Sequence, residues 1–513
     1  MPKPRRLLAV DQGSSGTKAA VFDDSGRLLR MAARRTPVSH PDVVAAEADP
    51  EGWWRALAEC VREAAQGHHV DAVALCGFMH TLVPVAEDGT VTGPALLWPD
   101  QRPASAPADG LAASALDGLA ASVPAPAGRT AVAAPAYGSC VERIRWWAAR
   151  SPEAVARTRW FLPVKDFLRL RLTGTAATDR YEAAGTGFAD PATGTWSPRV
   201  AAYAGIEPDR LPPIREPLDI AGEVTPRAAA LTGLTPGTPV AAGTGDWMAT
   251  LLGSGAVLPG RACLYLGTAG AVGGFASPDA AARLTEPLCF AAATSTGSAL
   301  DWAAGLLGGL GGAAGALAEA AGDAPPGARG VVFLPHLMGE RGDAPRPSAR
   351  GSVFGLTLAH TRADLARAVL EGTAMWLRAI AGAELARRAP AELVAAGGGA
   401  RSEVWLRVLA AVLERDLLVP ETTEAGLLGG ALIAATATGS EGRDTLAARR
   451  DRWVRTARTV PAAPDLVKTY RPLYDEFLRV EALAAEADAA RREPHQSPRP
   501  TPDVDVTGGP APG

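Results

Sequence analysis

Apolar and polar positions along the chain follow two alternating patterns. Short apolar runs bounded by turn residues, such as Leu7–Val10 and Ala19–Phe22, have the length of buried strands. Other segments carry apolar residues at helical spacing, as in Trp53–Ala65, Ser139–Ala149 and Thr361–Ala381. Strands that alternate with amphipathic helices are typical of α/β proteins. The pattern therefore predicts an α/β fold.

The first two strands enclose a tight turn rich in glycine and hydroxyl groups. Gly13 and Gly16 let the backbone approach a ligand closely, and the hydroxyls beside them can donate to phosphate oxygens. A carboxylate next to phosphate is tolerable only with Mg²⁺ between them, so Asp11 is the candidate metal ligand. An ordinary hairpin with a solvated aspartate is the alternative. The candidates for binding nucleotide phosphates here are Asp11, Gly13, Ser14, Ser15, Thr17 and Lys18.

Lysine usage favours the phosphate interpretation of this turn. Arginine serves nearly everywhere else, and the chain has lysine only at Lys3, Lys18, Lys165 and Lys468. A lysine inside the turn therefore suggests that a compact point charge is needed there.

The same order of strand, glycine-rich turn and strand recurs at residues 262–275, which read ACLYLGTAGAVGGF. Each half of the chain thus carries its own hairpin, and two such halves could close over one nucleotide. A hairpin merely tightened by small residues is the alternative. We predict an N-terminal domain over residues 1–250, a C-terminal domain over 251–488 and a disordered proline-rich tail over 489–513.

Composition excludes several classes of protein. The chain has 513 residues and a net charge of −4, which leaves no electrostatic footprint for nucleic acid. Its five cysteines lack paired spacing and indicate buried thiols in a reducing compartment. The N-terminal apolar run is too short for a signal peptide, and the glycine-rich stretch Trp302–Leu317 is better explained by two packed helices than by a membrane span. We therefore expect a cytoplasmic protein without a membrane partner.

Several motifs occur in the order found in one enzyme family. They are VDQGSSGTK at 10–18, CGFMHTLVPV at 76–85, LLWPDQR at 96–102, PVKDFLRLRLTG at 163–174, AGTGDWMA at 242–249, LGTAG at 266–270, LPHLMGER at 334–341 and AGGGARSEVW at 396–405. With these motifs the chain resembles the FGGY carbohydrate kinases from Leu7 to about Arg479, most closely the xylulokinase-like branch. The collinear order of the motifs makes coincidence very improbable.

This resemblance implies two ribonuclease-H-like domains of the actin and hexokinase type around a central cleft. It further implies ATP and Mg²⁺ in that cleft, and transfer of the γ-phosphate to a hydroxyl of a small sugar, with a ketopentose such as D-xylulose leading. Asp246 matches the family's catalytic aspartate, which accepts the proton of the attacking hydroxyl. From the residues alone, an aspartate in a Gly-Thr-Gly-Asp turn could equally be a helix N-cap. The resemblance is compatible with a homodimer.

Further site residues follow from the matched motifs. Lys165 and Asp166 match a family pair, but a surface or interdomain salt bridge explains them as well, and we leave them out of the site. The resemblance assigns sugar contacts to Met79, His80, Trp98, Asp246 and Trp247, with Asp100 and Arg102 in the nearby wall. It assigns the second phosphate turn to Gly267, Thr268 and Gly270, and the adenosine turn to Gly397, Gly398 and Gly399.

Three departures from the xylulokinase pattern leave the substrate open. Phe78 stands where a glutamine is usual, Trp247 replaces an asparagine and Ala269 replaces a serine. Each change removes a hydrogen-bonding group, and losing a partner for one hydroxyl can change discrimination by orders of magnitude. Gluconate or another polyol is therefore an alternative substrate. A weakly active sugar sensor or scaffold, and an actin-like or chaperone ATPase, are alternatives of other classes.

Overall fold

The computed structural model describes most of the chain. It covers residues 5–42, 45–100, 102–105, 140–190, 192–258, 260–275, 287–308, 314–340, 346, 349–439 and 445–490. The tail predicted from residue 489 onward lies outside these ranges, except for two residues that end the last helix.

The described strands follow the chain in two groups, one in each half. They are β1 (Arg6–Gly13), β2 (Gly16–Asp23), β3 (Leu28–Arg35), β4 (Glu47–Ala48), β5 (Ala72–Gly77), β6 (Leu82–Val85), β7 (Ala95–Leu96), β8 (Trp160–Pro163), β9 (Thr178–Asp179), β10 (Ile214–Arg215), β11 (Ile220–Glu223), β12 (Pro239–Ala241), β13 (Thr244–Gly245), β14 (Arg261–Leu266), β15 (Gly270–Phe275), β16 (Pro287–Ala293), β17 (Val332–Leu334), β18 (Ser352–Phe354), β19 (Glu392–Ala396), β20 (Leu417–Pro420) and β21 (Thr456–Val460).

The described helices cover the two groups of strands. They are α1 (Pro50–Ala64), α2 (Arg102–Ser105), α3 (Cys140–Arg150), α4 (Pro152–Arg157), α5 (Val164–Thr173), α6 (Arg180–Thr186), α7 (Pro198–Ala204), α8 (Pro226–Thr232), α9 (Asp246–Ser254), α10 (Gly297–Leu306), α11 (Ala314–Ala321), α12 (Arg362–Arg388), α13 (Glu403–Leu413), α14 (Ala425–Ala437), α15 (Leu446–Trp453) and α16 (Pro464–Ala490).

Each half is built on one mixed sheet with the same strand arrangement. The N-terminal sheet has the order β11-β12-β5-β1-β2-β3, with β13 also paired to β5, and the C-terminal sheet has the order β16-β15-β14-β19-β20-β21. In both, a three-stranded antiparallel unit continues into strands parallel to its first strand. This is the ribonuclease-H-like arrangement, so the predicted fold class is confirmed, as is the predicted second hairpin at residues 262–275.

Helices α9 and α14 join the two halves. α9 follows strand β13 of the N-terminal sheet, whereas α14 follows strand β20 of the C-terminal sheet, and the two helices pack against each other. A side chain at Gly429 would collide with the carbonyl oxygen of Ala249, because its Cβ would lie 1.9 Å away. Their backbones therefore touch, and one apolar cluster, which includes Leu7, Met248 and Leu428, runs through both halves.

The amphipathic patterns predicted the helices well. The segments Trp53–Ala65, Ser139–Ala149 and Thr361–Ala381 fall within or overlap α1, α3 and α12, and the last of these runs seven residues further. Trp302–Leu317 forms parts of two helices, α10 and α11, that pack together. Across the described residues, no helix combines the length and apolar character needed to span a membrane. The domain boundary at residue 250 stays a prediction, and it falls inside α9.

Candidate active site

Three neighbouring strands of the N-terminal sheet carry the main acidic candidates to one edge. Asp11 on β1 is the register partner of Cys76 on β5, and Cys76 is in turn the partner of Thr244 on β13. These strands are parallel, so their carboxyl ends meet at the same edge. Asp246 follows directly after β13, and this places it beside the end of the first hairpin.

Asp246 is the first residue of α9 and does not cap it. Gly245 occupies the N-cap position, so the alternative that Asp246 is a helix N-cap is wrong. Burial, together with the nearby carboxylate of Asp11, raises the pKa of Asp246 from 3.8 to about 7. A carboxylate with this pKa can accept a proton near neutral pH.

Asp11 is a buried carboxylate whose charge is only partly compensated by its neighbours. Burial raises its pKa to about 6, the ammonium of Lys18 opposes this effect, and the carboxylate of Glu424 adds to it. Its Oδ1 atom is buried without a hydrogen-bond partner. Among the described residues, no group of three or more His, Cys, Asp or Glu side chains forms a metal cage. Mg²⁺ typically needs only one or two carboxylates beside substrate phosphates, and Asp11 fits that role.

The register of the first hairpin divides its candidate residues between two faces. Asp11 pairs with Lys18, and Gln12 pairs with Thr17, so these two pairs lie on opposite faces of the sheet. The Thr17 hydroxyl is buried and donates to Gln12 Oε1 over 2.5 Å. The structure thus brings Asp11 and Lys18 together and keeps the Thr17 side chain away from them. Gly13, Ser14 and Ser15 lie at or beside the two-residue turn between the strands.

Lys18 forms an ion pair with the opposite half of the protein. Its Nζ atom lies 2.7 Å from Oε2 of Glu424, and the guanidinium of Arg401 binds the other carboxylate oxygen of Glu424. Glu424 immediately precedes α14, and Arg401 ends the short helix Gly398–Arg401, which begins within the triple glycine. A chain of three charges therefore connects the first hairpin with the predicted adenosine turn.

The second hairpin turn lies beside that adenosine turn. Strands β14 and β19 are parallel and pair Tyr265 with Ala396, so residues 267–269 and residues 397–399 leave the sheet at neighbouring points. The carbonyl oxygens of Gly267 and Thr268 accept hydrogen bonds from the first residues at the start of α10. Gly270 begins β15. The turn is thereby held in place by the N-terminus of a helix.

The three adjacent glycines have different surroundings. A Cβ at Gly397 would lie 2.8 Å from the carbonyl oxygen of Leu266, and this glycine has a positive φ of 92°. A Cβ at Gly399 would lie 2.3 Å from the Trp405 ring, whereas one at Gly398 would meet nothing within 4 Å. The outer two glycines are therefore required by packing within the protein itself. Gly398 alone borders open space that a ligand could occupy.

The predicted sugar-binding residues lie on the N-terminal side of the cleft. His80 has a positive φ of 61°, and its Nδ1 atom donates to the carbonyl oxygen of Gly185 over 2.7 Å. A Cβ at Gly185 or Gly245 would collide with Met79, so Met79 packs between α6 and the start of α9. The guanidinium of Arg143 donates to the carbonyl oxygens of both His80 and Trp98. This buried arginine connects the two segments.

Asp100 and Arg102 serve this wall as a structural pair. The buried Asp100 carboxylate accepts from the backbone of Ala46 over 3.0 Å and from Arg102 Nη2 over 2.6 Å. Both groups are satisfied by the protein itself.

The three departures from the xylulokinase pattern have unequal consequences. Phe78 is buried and packs edge-on against Trp53, with ring centroids 5.6 Å apart, so its side chain belongs to the core. Trp247 is half-buried beside Asp246, and its indole Nε1 is enclosed without a hydrogen-bond partner. Ala269 accepts the Gly267 amide through its backbone over 3.1 Å, which a serine would also allow. Of the three, Trp247 alone stands next to Asp246, and it packs against the apolar cluster that includes Met248.

The sequence suggested a surface or interdomain salt bridge for Lys165 and Asp166; they do form a salt bridge, but it is buried within the N-terminal half. Both are fully buried, and Lys165 Nζ lies 2.6 Å from Asp166 and 2.9 Å from Asp179. Arg169 completes this ionic cluster at 2.8 Å from Asp166. Next to it, burial raises the pKa of Glu182 well above its usual value. The cluster supports β13 directly, because Thr244 donates to Asp179 over 3.2 Å.

Sequence reasoning missed Glu424 and Arg143 at this site. Each acts across a long separation in the chain, and neither stands in a motif with a mechanism of its own. For Glu424 the sequence does hold a signal. A glutamate stands directly before an apolar helix, where a shorter capping residue is usual, and its longer side chain can reach groups outside that helix.

Comparisons with known proteins identify the family of the chain. The N-terminal domain of the FGGY family of carbohydrate kinases matches residues 6–253, and its C-terminal domain matches residues 268–438. A xylulose kinase from Escherichia coli (strain K12) is 33% identical over 456 residues, which cover 85% of this chain and 90% of that protein.

Two further relatives widen the comparison. A gluconokinase from Bacillus subtilis (strain 168) is 26% identical, with 93% of this chain and 96% of that protein covered. A ligand-bound xylulose kinase structure from Lactobacillus acidophilus superimposes with a TM-score of 0.78 at 22% identity, covering 95% of this chain and all of the other, and it supports the fold. The chain belongs to the FGGY family of carbohydrate kinases.

Proposed function

We propose that this kinase transfers the γ-phosphate of ATP to a hydroxyl of a small neutral sugar, with a ketopentose such as D-xylulose as the leading candidate. The observation that carries the proposal is Asp246, a carboxylate with a raised pKa at the end of β13 beside Asp11. The similarity to a xylulose kinase at 33% identity favours the ketopentose over the alternatives.

Asp246 would act as the general base. Its side chain projects from the first turn of α9, where the helix dipole favours the ionised form, and it would accept the proton of the sugar hydroxyl at a carboxylate oxygen. The ionic cluster around Asp166 keeps β13 in place and so keeps Asp246 aligned. Alignment and charge neutralisation are most of what phosphoryl transfer requires.

The nucleotide would lie between the two hairpins. Magnesium ATP supplies the phosphoryl group and the neutralising charge when bound. Asp11 would hold the metal, for which its unpartnered oxygen and raised pKa are suited. Lys18 and the turn at Gly13 would bind phosphates from one half, and the turns at Gly267 and Gly397 would bind the nucleotide from the other.

A neutral sugar suits the described residues better than an aldonate. The Arg143 guanidinium beside His80 is already bound to two backbone carbonyls, so it is engaged before a substrate carboxylate arrives. Gluconate remains the second candidate, because a gluconokinase is 26% identical over almost the whole chain. A sensor with weak activity is the third candidate, given the Trp247 substitution.

An ADP-release screen against ketopentoses, aldonates, polyols and glycerol tests the proposal. We expect a neutral polyhydroxylated substrate to give the highest kcat/KM, and Asp246→Asn to reduce turnover by at least about 10³-fold while nucleotide affinity stays near that of the wild type. Gluconate as the best substrate would transfer the assignment to the second candidate. ATP hydrolysis without dependence on any sugar would contradict the proposal.

Trp247 provides a sharper test of the substrate. An indole next to the base fills space that an asparagine would leave for hydroxyl groups. We expect the indole to keep the wild-type kcat/KM for D-xylulose low, and Trp247→Asn to raise it relative to the kcat/KM for the other compounds of the screen. A wild-type kcat/KM for D-xylulose on the order of 10⁶ M⁻¹s⁻¹ would contradict this expectation.

A cytoplasmic location, expected from the composition, and a homodimer, compatible with the family resemblance, stay predictions.

A further inference from the structure

Glu424 is placed where the two halves of the nucleotide cleft meet. It lies between β20 and α14 at the N-cap position of that helix, yet its side chain makes no capping hydrogen bond. Only 8% of the side chain is exposed. A buried carboxylate that leaves its own helix end unused must be stabilised by other groups, because an unpaired buried charge is costly.

Two cations from different parts of the chain stabilise this carboxylate. Lys18 Nζ from the first hairpin lies 2.7 Å from Oε2, and Arg401 beside the triple glycine binds Oε1. The loop before Glu424 is also tied to this region, since the Thr423 carbonyl accepts the amide of Gly397, and Arg401 donates to the Thr423 hydroxyl over 3.2 Å.

The flexible Lys18 side chain needs such a partner to keep its ammonium group in one position. Its side chain is 39% exposed, and a lysine stem has four flexible bonds. The ion pair with Glu424 restricts the ammonium to the face of the hairpin that carries Asp11, where its charge partly offsets the rise that burial causes in the pKa of Asp11. An ammonium group has three donors, so two remain for an anionic ligand after the bond to Glu424.

We propose that Glu424 is a positioning residue for nucleotide binding: it bridges Lys18 and Arg401 across the cleft and presents the lysine ammonium to the phosphates. This inference rests on the proposed nucleotide site but adds a residue from the opposite half. The opposite hypothesis makes the carboxylate a competitor that occupies Lys18 until the phosphates displace it. The two hypotheses predict opposite changes in affinity.

Calorimetric titration with ADP and with Mg·ATP tests the proposal without requiring turnover. Glu424→Gln keeps the shape and removes the charge, and we expect about 10-fold weaker binding of both nucleotides, with unchanged sugar affinity. Glu414→Gln is the matched control, because Glu414 also bridges two cationic side chains, Arg378 at 3.0 Å and Arg471 at 2.6 Å, and neither is Lys18. The control should bind nucleotide like the wild type.

A double-mutant cycle excludes a merely structural effect. Lys18→Met alone should weaken nucleotide binding, and adding Glu424→Gln to it should cause little further loss, because Glu424 acts through the lysine. If Glu424→Gln does not fold, Glu424→Asp provides the same cycle with a carboxylate too short to reach both cations. Unchanged or tighter binding by the Glu424 variant overturns the proposal, as does an equal loss in both backgrounds.

The outcome is independent of the substrate assignment. A wild type that binds nucleotide but phosphorylates no sugar contradicts the proposed function and leaves this cycle interpretable. A wild type that binds neither nucleotide contradicts both.

Discussion

Asp11 and Asp246 are two carboxylates at the same edge of the cleft, and their surroundings differ. Asp11 lies beside the ammonium of Lys18 and has a pKa near 6, whereas Asp246 has no cation among the influences on its pKa, which lies near 7. Two carboxylates with different surroundings in one site can divide the work between charge binding and proton transfer. The position of Asp11 next to the cation suits metal binding, and the position of Asp246 at the start of α9 suits proton acceptance.

The raised pKa of Asp246 predicts the pH dependence of the reaction. The base must be ionised to accept a proton, so activity is lost as pH falls through the pKa of about 7. We expect kcat/KM for the sugar to be constant above about pH 8 and to fall about tenfold per pH unit well below pH 7. Initial rates at limiting Mg·ATP between pH 5 and 9 measure this, because bound Mg²⁺ would offset the charge of Asp11 that helps to raise this pKa. A profile flat down to pH 5 would argue against Asp246 as the base.

At the scale of elements, the sequence predicts those strands, turns and helices that are determined by local apolar and polar patterns. The tight turn between two apolar runs predicts the first hairpin. Side chains alternate between the two faces of a strand, so the side chains of Asp11 and Thr17 lie on opposite faces once the register of pairing is known. The register depends on where pairing begins, which the sequence does not show, and for this reason the sequence places Thr17 among the phosphate ligands. Likewise, the Lys165–Asp166 motif says nothing about burial, because burial depends on strands more than seventy residues further on.

Close packing of α9 on α14 is an element-scale feature with a direct test. Gly429→Ala places a methyl group 1.9 Å from the Ala249 carbonyl oxygen, so the helices must separate. We expect a loss of about 2–4 kcal/mol in the free energy of unfolding, measured by urea titration.

The matched control for this prediction is Gly305→Ala. Gly305 also lies inside a helix, but its added Cβ would meet nothing within 4 Å. Alanine is the better helix former there, so we expect no loss and up to about 1 kcal/mol of gain. Equal effects of the two substitutions would show that the contact between α9 and α14 is not tight.

At the scale of the whole molecule, the sequence predicts two halves with a hairpin each but not how they meet. The contacts that join them link residues some four hundred positions apart, such as Lys18 with Glu424 and Asp24 with Arg449. No local pattern encodes such a pair. A family motif identifies the segments that approach each other, while the ion pairs arise only when both sheets present their edges to the same cleft.

These joining contacts define where the molecule can move. The two halves are held together through α9 and α14, where backbones touch, and through Asp24, whose carbonyl accepts the Trp453 indole over 3.2 Å. The phosphate turns of the two halves lie on separate sheets, so sugar and nucleotide bound together would contact both. Ligands that bridge two bodies favour the closed arrangement over the open one.

We therefore expect the domains to close when sugar and nucleotide are both bound. Small-angle scattering should show a smaller radius of gyration with the preferred sugar plus a non-hydrolysable ATP analogue than with either ligand alone. Asp246→Asn should close as well, because the amide preserves the shape of the base while blocking proton transfer, and it allows the same measurement with ATP itself. An unchanged radius with both ligands, at concentrations that saturate calorimetric binding, would mean that catalytic groups from the two halves are already assembled before substrate arrives.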